Sequence, residues 1–133
     1  MAKKLFVSYR ADNEGTKYKN LLVAWSKNDS GHFDIKFDDS SVGVSINSTN
    51  ANYIKQVIKG KISDSPTFLL LIGKDTHNSE WVSWEIEQAK ALNKKLVAVK
   101  IDKDYTSPSE ILNSGASWAM SFTYDAIKKA IDN

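Results

Sequence analysis

Thr67-Phe68-Leu69-Leu70-Leu71-Ile72 is an unbroken apolar run that stops at Gly73-Lys74, and no other stretch limits the fold as much. A strand with no polar side has to be covered on both faces, which is the signature of the middle of a parallel sheet. Its neighbours in sequence fit that demand. Leu5-Phe6-Val7 is a short buried-strand pattern, Phe33-Asp34-Ile35-Lys36-Phe37 alternates, and Leu96-Val97-Ala98-Val99-Lys100-Ile101 is a further apolar strand. A weaker strand is expected around Trp118 to Phe122. Between the strands lie helical periodicities: Tyr18, Leu21, Leu22 and Trp25 in the first, which ends near Asp29-Ser30-Gly31, and Ile54, Val57, Ile58 and Ile62 in the second, which is stopped by Asp64-Ser65-Pro66. The Trp81 helix and a last helix carrying Tyr124, Ile127, Ala130 and Ile131 complete the series.

Strand and helix thus alternate about five times, which predicts an α/β fold with helices on both faces of a parallel sheet. With 133 residues the chain is sized for one domain, residues 1–133, without internal repeat or linker. In such open sheets ligands sit beyond the carboxyl ends of the strands, where strand order reverses. In a flavodoxin-like order, three segments meet there: Ser8-Tyr9-Arg10, the serine-rich loop from Asp38 to Asn50, and the connection from Gly73 to Trp81. A loop as long as the one from Asp38 tends to be functional.

One residue in this plan is out of place. At about 100° per residue, Trp81, Val82, Glu85, Ile86, Ala89 and Leu92 fall in one sector of their helix, while Glu80 and Glu87 fall opposite. Glu85 is therefore a carboxylate on an apolar stripe. Burying an ionised acid is costly, so acids there are either paired or put to use. With Ser79 or Asn78 as N-cap, Glu85 lies beyond the first turn, where capping and dipole effects fade. A structural ion pair is the plain alternative to a functional carboxylate.

Composition removes several chemistries. Cysteine is absent, so disulfides, thiol nucleophiles and cysteine metal sites are excluded, and a cytoplasmic location is expected. The basic start Met1-Ala2-Lys3-Lys4 passes into Ser8-Tyr9-Arg10 before any signal-peptide core forms, and no apolar run reaches membrane-spanning length. A net charge of +2 with interspersed acids gives no footprint for nucleic acid, and Lys94-Lys95 and Lys128-Lys129 read as solvated helix ends. The turn after the first strand has neither a glycine fingerprint nor a Walker lysine. A phospho-acceptor receiver site fits poorly, because Asp12 comes late and the third strand ends in Ile72-Gly73-Lys74. His32 and His77 stand in no zinc or triad spacing, so no metal is expected. Trp25, Phe33, Phe68 and Trp118 are assigned to packing. Trp81 and Trp84 flank Glu85 at the ligand end, where an indole forms a wall for a flat ring.

Taken together, Leu5-Phe6-Val7-Ser8-Tyr9-Arg10, the Asp38-Asp39 loop, Ile58 to Ser65 leading into Phe68 to Ile72, and Ser79-Glu80-Trp81-Val82-Ser83-Trp84-Glu85-Ile86 resemble a TIR domain over almost the whole chain. The stretches Thr76 to Glu87 and Lys95 to Ile101 look most like the TIR-like ThsB proteins of bacterial Thoeris antiphage systems. Val82 stands where many TIR domains carry Cys, and the Asp38 loop lacks the Pro and Gly pattern of receptor adaptors. The resemblance implies a single-domain, flavodoxin-like three-layer sandwich around a five-stranded parallel sheet of order 2-1-3-4-5. It also implies cleavage of the nicotinamide–ribose bond of NAD+, which is substrate and not cofactor. Glu85 would be catalytic, with Phe6, Ser8, Arg10, Asp38, Asp39, His77 and Trp81 as substrate-binding candidates. The implied product is a cyclic ADP-ribose isomer, a second messenger that reaches a separate effector protein after an unknown phage trigger, with assembly into a homo-oligomer as a further implication. Two alternatives stay open: a non-catalytic TIR interaction module working through the Asp38 loop, and an NAD+ hydrolase.

Overall fold

The computed structural model describes residues 3–10, 12–28, 33–37 and 49–132. Five strands, β1 (Lys3–Ser8), β2 (Phe33–Phe37), β3 (Thr67–Ile72), β4 (Lys95–Lys100) and β5 (Ser117–Ala119), pair in parallel in the order β2-β1-β3-β4-β5. Among the described residues three helices connect the first four strands, α1 (Asn13–Asn28), α2 (Ala51–Asp64) and α3 (Glu80–Ala91), and α4 (Tyr124–Asp132) follows β5. The α/β architecture anticipated from the alternation is present. The body of the sheet is its first four strands, since β5 is a three-residue fragment pairing only Val97 to Val99 of β4.

All six residues of β3 are buried, and their side chains divide by parity between two cores. Phe68, Leu70 and Ile72 join Phe6, Leu96 and Ala98 beneath Ile58 and Ile62 of α2 and Val82, Ile86 and Ala89 of α3. Leu69 and Leu71 join Leu5, Val7, Val97 and Val99 beneath Leu22 of α1 and Ile127 and Ile131 of α4. This is the period-2 rule applied to a sheet covered on both sides. It puts α2 and α3 on one face, α1 and α4 on the other. At the centre of the first core, Phe68 stacks on Phe6 with ring centroids 5.7 Å apart and planes 13° from parallel. Phe68→Ala is expected to lower unfolding free energy by about 3–5 kcal/mol through lost burial and the cavity left behind. Denaturant titration with an unchanged m-value checks this.

Helix α3 starts and stops on local chemistry. The Ser79 hydroxyl accepts from the Val82 backbone N–H at 3.2 Å, an N-cap as the sequence suggests. At the other end Asn93 takes a left-handed φ of 56°, and the Lys94 N–H returns to the Ala89 carbonyl at 3.0 Å.

The weakly patterned end of the chain differs from expectation. Trp118, assigned to packing, is 37% exposed on the sheet edge, and the strand stops at Ala119 instead of running to Phe122. Phe122 instead turns under α1, stacking on Trp25 at 5.0 Å and meeting Tyr18 edge-on at 4.9 Å.

Candidate active site

The parallel sheet brings the carboxyl ends of β1, β3 and β4 together, and the chain leaves each through a turn. Parity then decides what β1 contributes. Phe6 and Ser8 point to the α3 side, Leu5 and Val7 to the α1 side. Helix α3 packs on β1 with Trp81, Val82, Glu85, Ile86 and Ala89 buried. The carboxylate on its apolar stripe therefore meets the hydroxyl that closes β1 on that face. The Ser8 hydroxyl donates to Glu85 Oε1 at 2.7 Å, with Ser8 1% and Glu85 5% exposed. A hydroxyl orients the carboxylate without cancelling its charge.

Around this pair the other candidates take different places. Arg10, at the mouth of the β1–α1 turn, donates from Nη1 to the Asp75 carbonyl at 3.1 Å, and its Nε lies 3.5 Å from Asp12 Oδ2. Its side chain is 40% exposed, so the guanidinium keeps a face toward solvent. His77 lies in the short 3-10 turn Thr76–Asn78, half-buried, with a buried Nδ1 that has no hydrogen-bond partner among the described residues. The indole of Trp81 is 8% exposed and meets Trp84 edge-on at 5.9 Å, so it forms a floor near Glu85 more than an open wall. Lys55 Nζ sits 6.0 Å above the Trp84 ring.

Two of the candidates are closed off from solvent. Phe6 has no exposed surface and stacks on Phe68, because its parity drives it into the core between sheet and α2/α3. Ser8 is 1% exposed and donates its hydroxyl hydrogen to Glu85, which places it beside the carboxylate. Asp38 and Asp39 lie outside the described residues, as does His32.

Sequence reading passed over Glu14 and Tyr105. The Lys74 backbone N–H donates to Glu14 Oε1 at 2.9 Å and the Tyr105 hydroxyl donates to Glu14 Oε2 at 2.8 Å. That hydrogen bond, with the negative charges of Glu14 and Asp102 nearby, holds the Tyr105 hydroxyl above its ordinary value of 10.0. The folded-state value being the higher one, this bond persists across the neutral range and is lost only as pH rises past the ordinary tyrosine value. A first-turn acid in α1 gave no signal of its own in sequence, since such acids commonly serve the helix dipole alone.

Among the described residues no cluster of His, Asp and Glu is arranged to hold a metal ion. None of the described helices is long and apolar enough to cross a membrane.

Comparison with known proteins fixes the family. Residues 6–106 match the family model of the TIR-like domain of the Thoeris protein ThsB. The chain belongs to that family. The match spans the strands, turns and helix that build the Ser8–Glu85 pair, and leaves residues 107–133 of this ThsB-family chain beyond it. No protein of curated function matches the chain significantly.

Solved structures share the fold at low identity. A 2-deoxyribosyltransferase from Bacillus psychrosaccharolyticus superposes with a TM-score of 0.67 at 13% identity, over 86% of this chain and 84% of that one. The CMP N-glycosidase BcmB of Clostridium botulinum gives 0.64 at 12% identity, over 98% and 100%. The TIR domains of the activated Roq1 resistosome give 0.52 at 17% identity, over 77% of this chain and 60% of that one. At these identities the likeness of the ThsB-family chain to them is one of fold.

Proposed function

We propose that this chain breaks the nicotinamide–ribose bond of NAD+ with Glu85 as its catalytic carboxylate, and closes the product into a cyclic ADP-ribose isomer that serves as a second messenger in antiphage defence. The observation that carries this reading is a buried acid, 5% exposed, held at 2.7 Å by Ser8 at the carboxyl end of the sheet. Membership of the ThsB TIR-like family supports it. So do the names of two fold neighbours, a deoxyribosyltransferase and a CMP N-glycosidase, both of which describe chemistry at an N-glycosidic bond.

The chemistry asks for little more than this. In NAD+ the nicotinamide is a cationic pyridinium, and the C1′–N bond breaks with both electrons going to nitrogen. The ring leaves neutral and needs no proton. Ordinary glycosidases use two carboxyl groups because their leaving group must be protonated. Here one carboxylate suffices. Glu85 stabilises the positive charge that grows on the ribose and accepts from its hydroxyls, and a low-dielectric setting strengthens both effects. Arg10 supplies a fork suited to the pyrophosphate, once it exchanges the Asp75 carbonyl for phosphate oxygens. His77, in the turn before α3, and Trp81, in its first turn, are the candidates for further contacts to the substrate.

The group that captures C1′ sets the product. Water gives ADP-ribose, whereas a hydroxyl or an adenine nitrogen of the same molecule gives a ring, with the proton lost from the attacking atom. A closed, dry pocket favours the ring. In this reading NAD+ is the substrate, the cyclic product is the signal, and a separate effector protein in the cytoplasm is the receiver.

The test is mass-resolved chromatography of the chain with NAD+, alone and with lysate from phage-infected cells. Nicotinamide with a species equal to NAD+ minus nicotinamide, without added water, supports the cyclase, and ADP-ribose alone makes it a hydrolase. Absence of turnover in both conditions overturns the enzyme and favours an interaction module.

Ser8 gives a second check. Losing a hydrogen bond to a charged group costs about 1.5–3 kcal/mol, so Ser8→Ala is expected to lower kcat roughly ten- to hundredfold with little change in KM. Removing a donor to a carboxylate also makes it easier to protonate, so the acid limb of the pH–rate profile moves to higher pH. An unchanged profile would leave Ser8 as mere packing.

A further inference from the structure

We propose that Glu14 is a positioning residue that pins three loops together at the carboxyl end of the sheet, and so fixes the ligand-facing turn that carries Asp75, His77 and the Ser79 cap. The three are the β1–α1 turn, the β3–α3 connection and the segment after β4. One carboxylate joins them. Its Oε1 accepts the Lys74 N–H at 2.9 Å, its Oε2 accepts the Tyr105 hydroxyl at 2.8 Å, and the helix that carries it starts the β1–α1 side.

The neighbouring residues are fitted to this arrangement. A Cβ on Gly73 would come within 2.7 Å of Glu14 Oε1, so only glycine leaves the carboxylate its place. The Gly73 N–H turns the other way and donates to Thr76 Oγ1 at 2.7 Å, holding the turn from within. In the ligand-free chain Arg10 adds a second tie from the same side by donating to the Asp75 carbonyl, and Glu14 is the tie that stays when Arg10 turns to phosphate. Tyr105 packs its ring against the Phe6–Phe68 core, which gives the pin a rigid anchor beyond β4. A surface acid serving only the dipole of α1 would need none of these partners.

The claim that the pinned turn meets substrate rests on the NAD+ reading above; the pin itself does not. Its test uses the full chain and two readouts, amide exchange at Lys74 and residues 73–79, and the KM–kcat split with NAD+. Glu14→Ala is expected to speed exchange at the Lys74 amide about tenfold or more, because that donor loses its acceptor. KM is expected to rise about tenfold with kcat changed less than about threefold, as lost ground-state positioning predicts.

The conservative variants separate the pin from a dipole effect. Glu14→Asp keeps the first-turn charge but is one methylene too short to reach both donors, so it should behave like Glu14→Ala. Glu14→Gln keeps one good acceptor and should fall between. Unchanged Lys74 exchange in Glu14→Ala, or wild-type behaviour in Glu14→Asp, overturns the pin. Faster exchange with an unchanged KM overturns its link to substrate. Where the wild type does not turn over NAD+, the exchange results alone decide the pin, and the NAD+ reading fails separately.

Discussion

Glu85→Gln is expected to reduce product formation from NAD+ at least a thousandfold while leaving the protein as stable as the wild type or slightly more so. The two halves of this result come from one cause. Removing a single oxyanion-hole donor already costs about a hundred- to thousandfold in rate, and here a full negative charge facing a developing cation is removed. The ionised acid also carries a desolvation cost that a neutral amide does not, because Glu85 is 5% exposed on a stripe of Trp81, Val82, Ile86 and Ala89. Glutamine keeps the shape, and its carbonyl oxygen still accepts from Ser8. The competing account, a structural ion pair, predicts the opposite sign for stability, since breaking a buried pair costs about 3–5 kcal/mol. Thermal unfolding and turnover measured side by side decide between them. A variant that loses stability and keeps its rate would remove Glu85 from the mechanism.

The parts of this site that could be read from sequence are those set by periodicity. The apolar stripe of α3 exposes Glu85 as an anomaly, and the six apolar residues of β3 require layers on both faces. Strand parity also fixes where the β1 side chains go. Counting from Phe6, whose neighbours Leu5 and Val7 point the other way, Ser8 has to face α3, which makes it a partner of Glu85. The same count sends Phe6 into the core.

What stayed hidden depends on contacts distant in sequence. Glu14 and Tyr105 are separated by 91 positions and Glu14 and Lys74 by 60, and no local pattern relates them. The edge of the sheet was misjudged for a different reason. A strand that pairs on one side only is not required to be apolar, so Trp118 carries little information about where β5 ends.

Gly15→Ala is expected to destabilise the protein by about 3 kcal/mol and to lower turnover by about a hundredfold, against the usual rule for such a change. Gly15 is in the first turn of α1, with no left-handed backbone to preserve, and by propensity alone alanine in a helix gains up to about 1 kcal/mol. Sterics reverse the sign. A Cβ there would stand 2.0 Å from the Arg10 carbonyl oxygen and 3.1 Å from its carbon, and both are backbone atoms that cannot swing aside. Nor is the turn free to shift. Asp12 N–H donates to the Arg10 carbonyl at 2.8 Å, Gly15 N–H to Asp12 Oδ1 at 2.7 Å, and Thr16 N–H to the Asp12 carbonyl at 2.9 Å. Relief of the clash has to stretch these bonds or move Arg10, which lies two residues beyond Ser8. Displacing a positioned group by about 1 Å costs around a hundredfold in rate, so the damage is expected to reach the carboxylate through Ser8 and, on the NAD+ proposal, the pyrophosphate through Arg10. Denaturant unfolding and NAD+ turnover of the same preparation measure both effects. A more stable Gly15→Ala with full turnover would show that the β1–α1 turn is soft, and that Ser8 and Arg10 are held by something other than the backbone leading away from them.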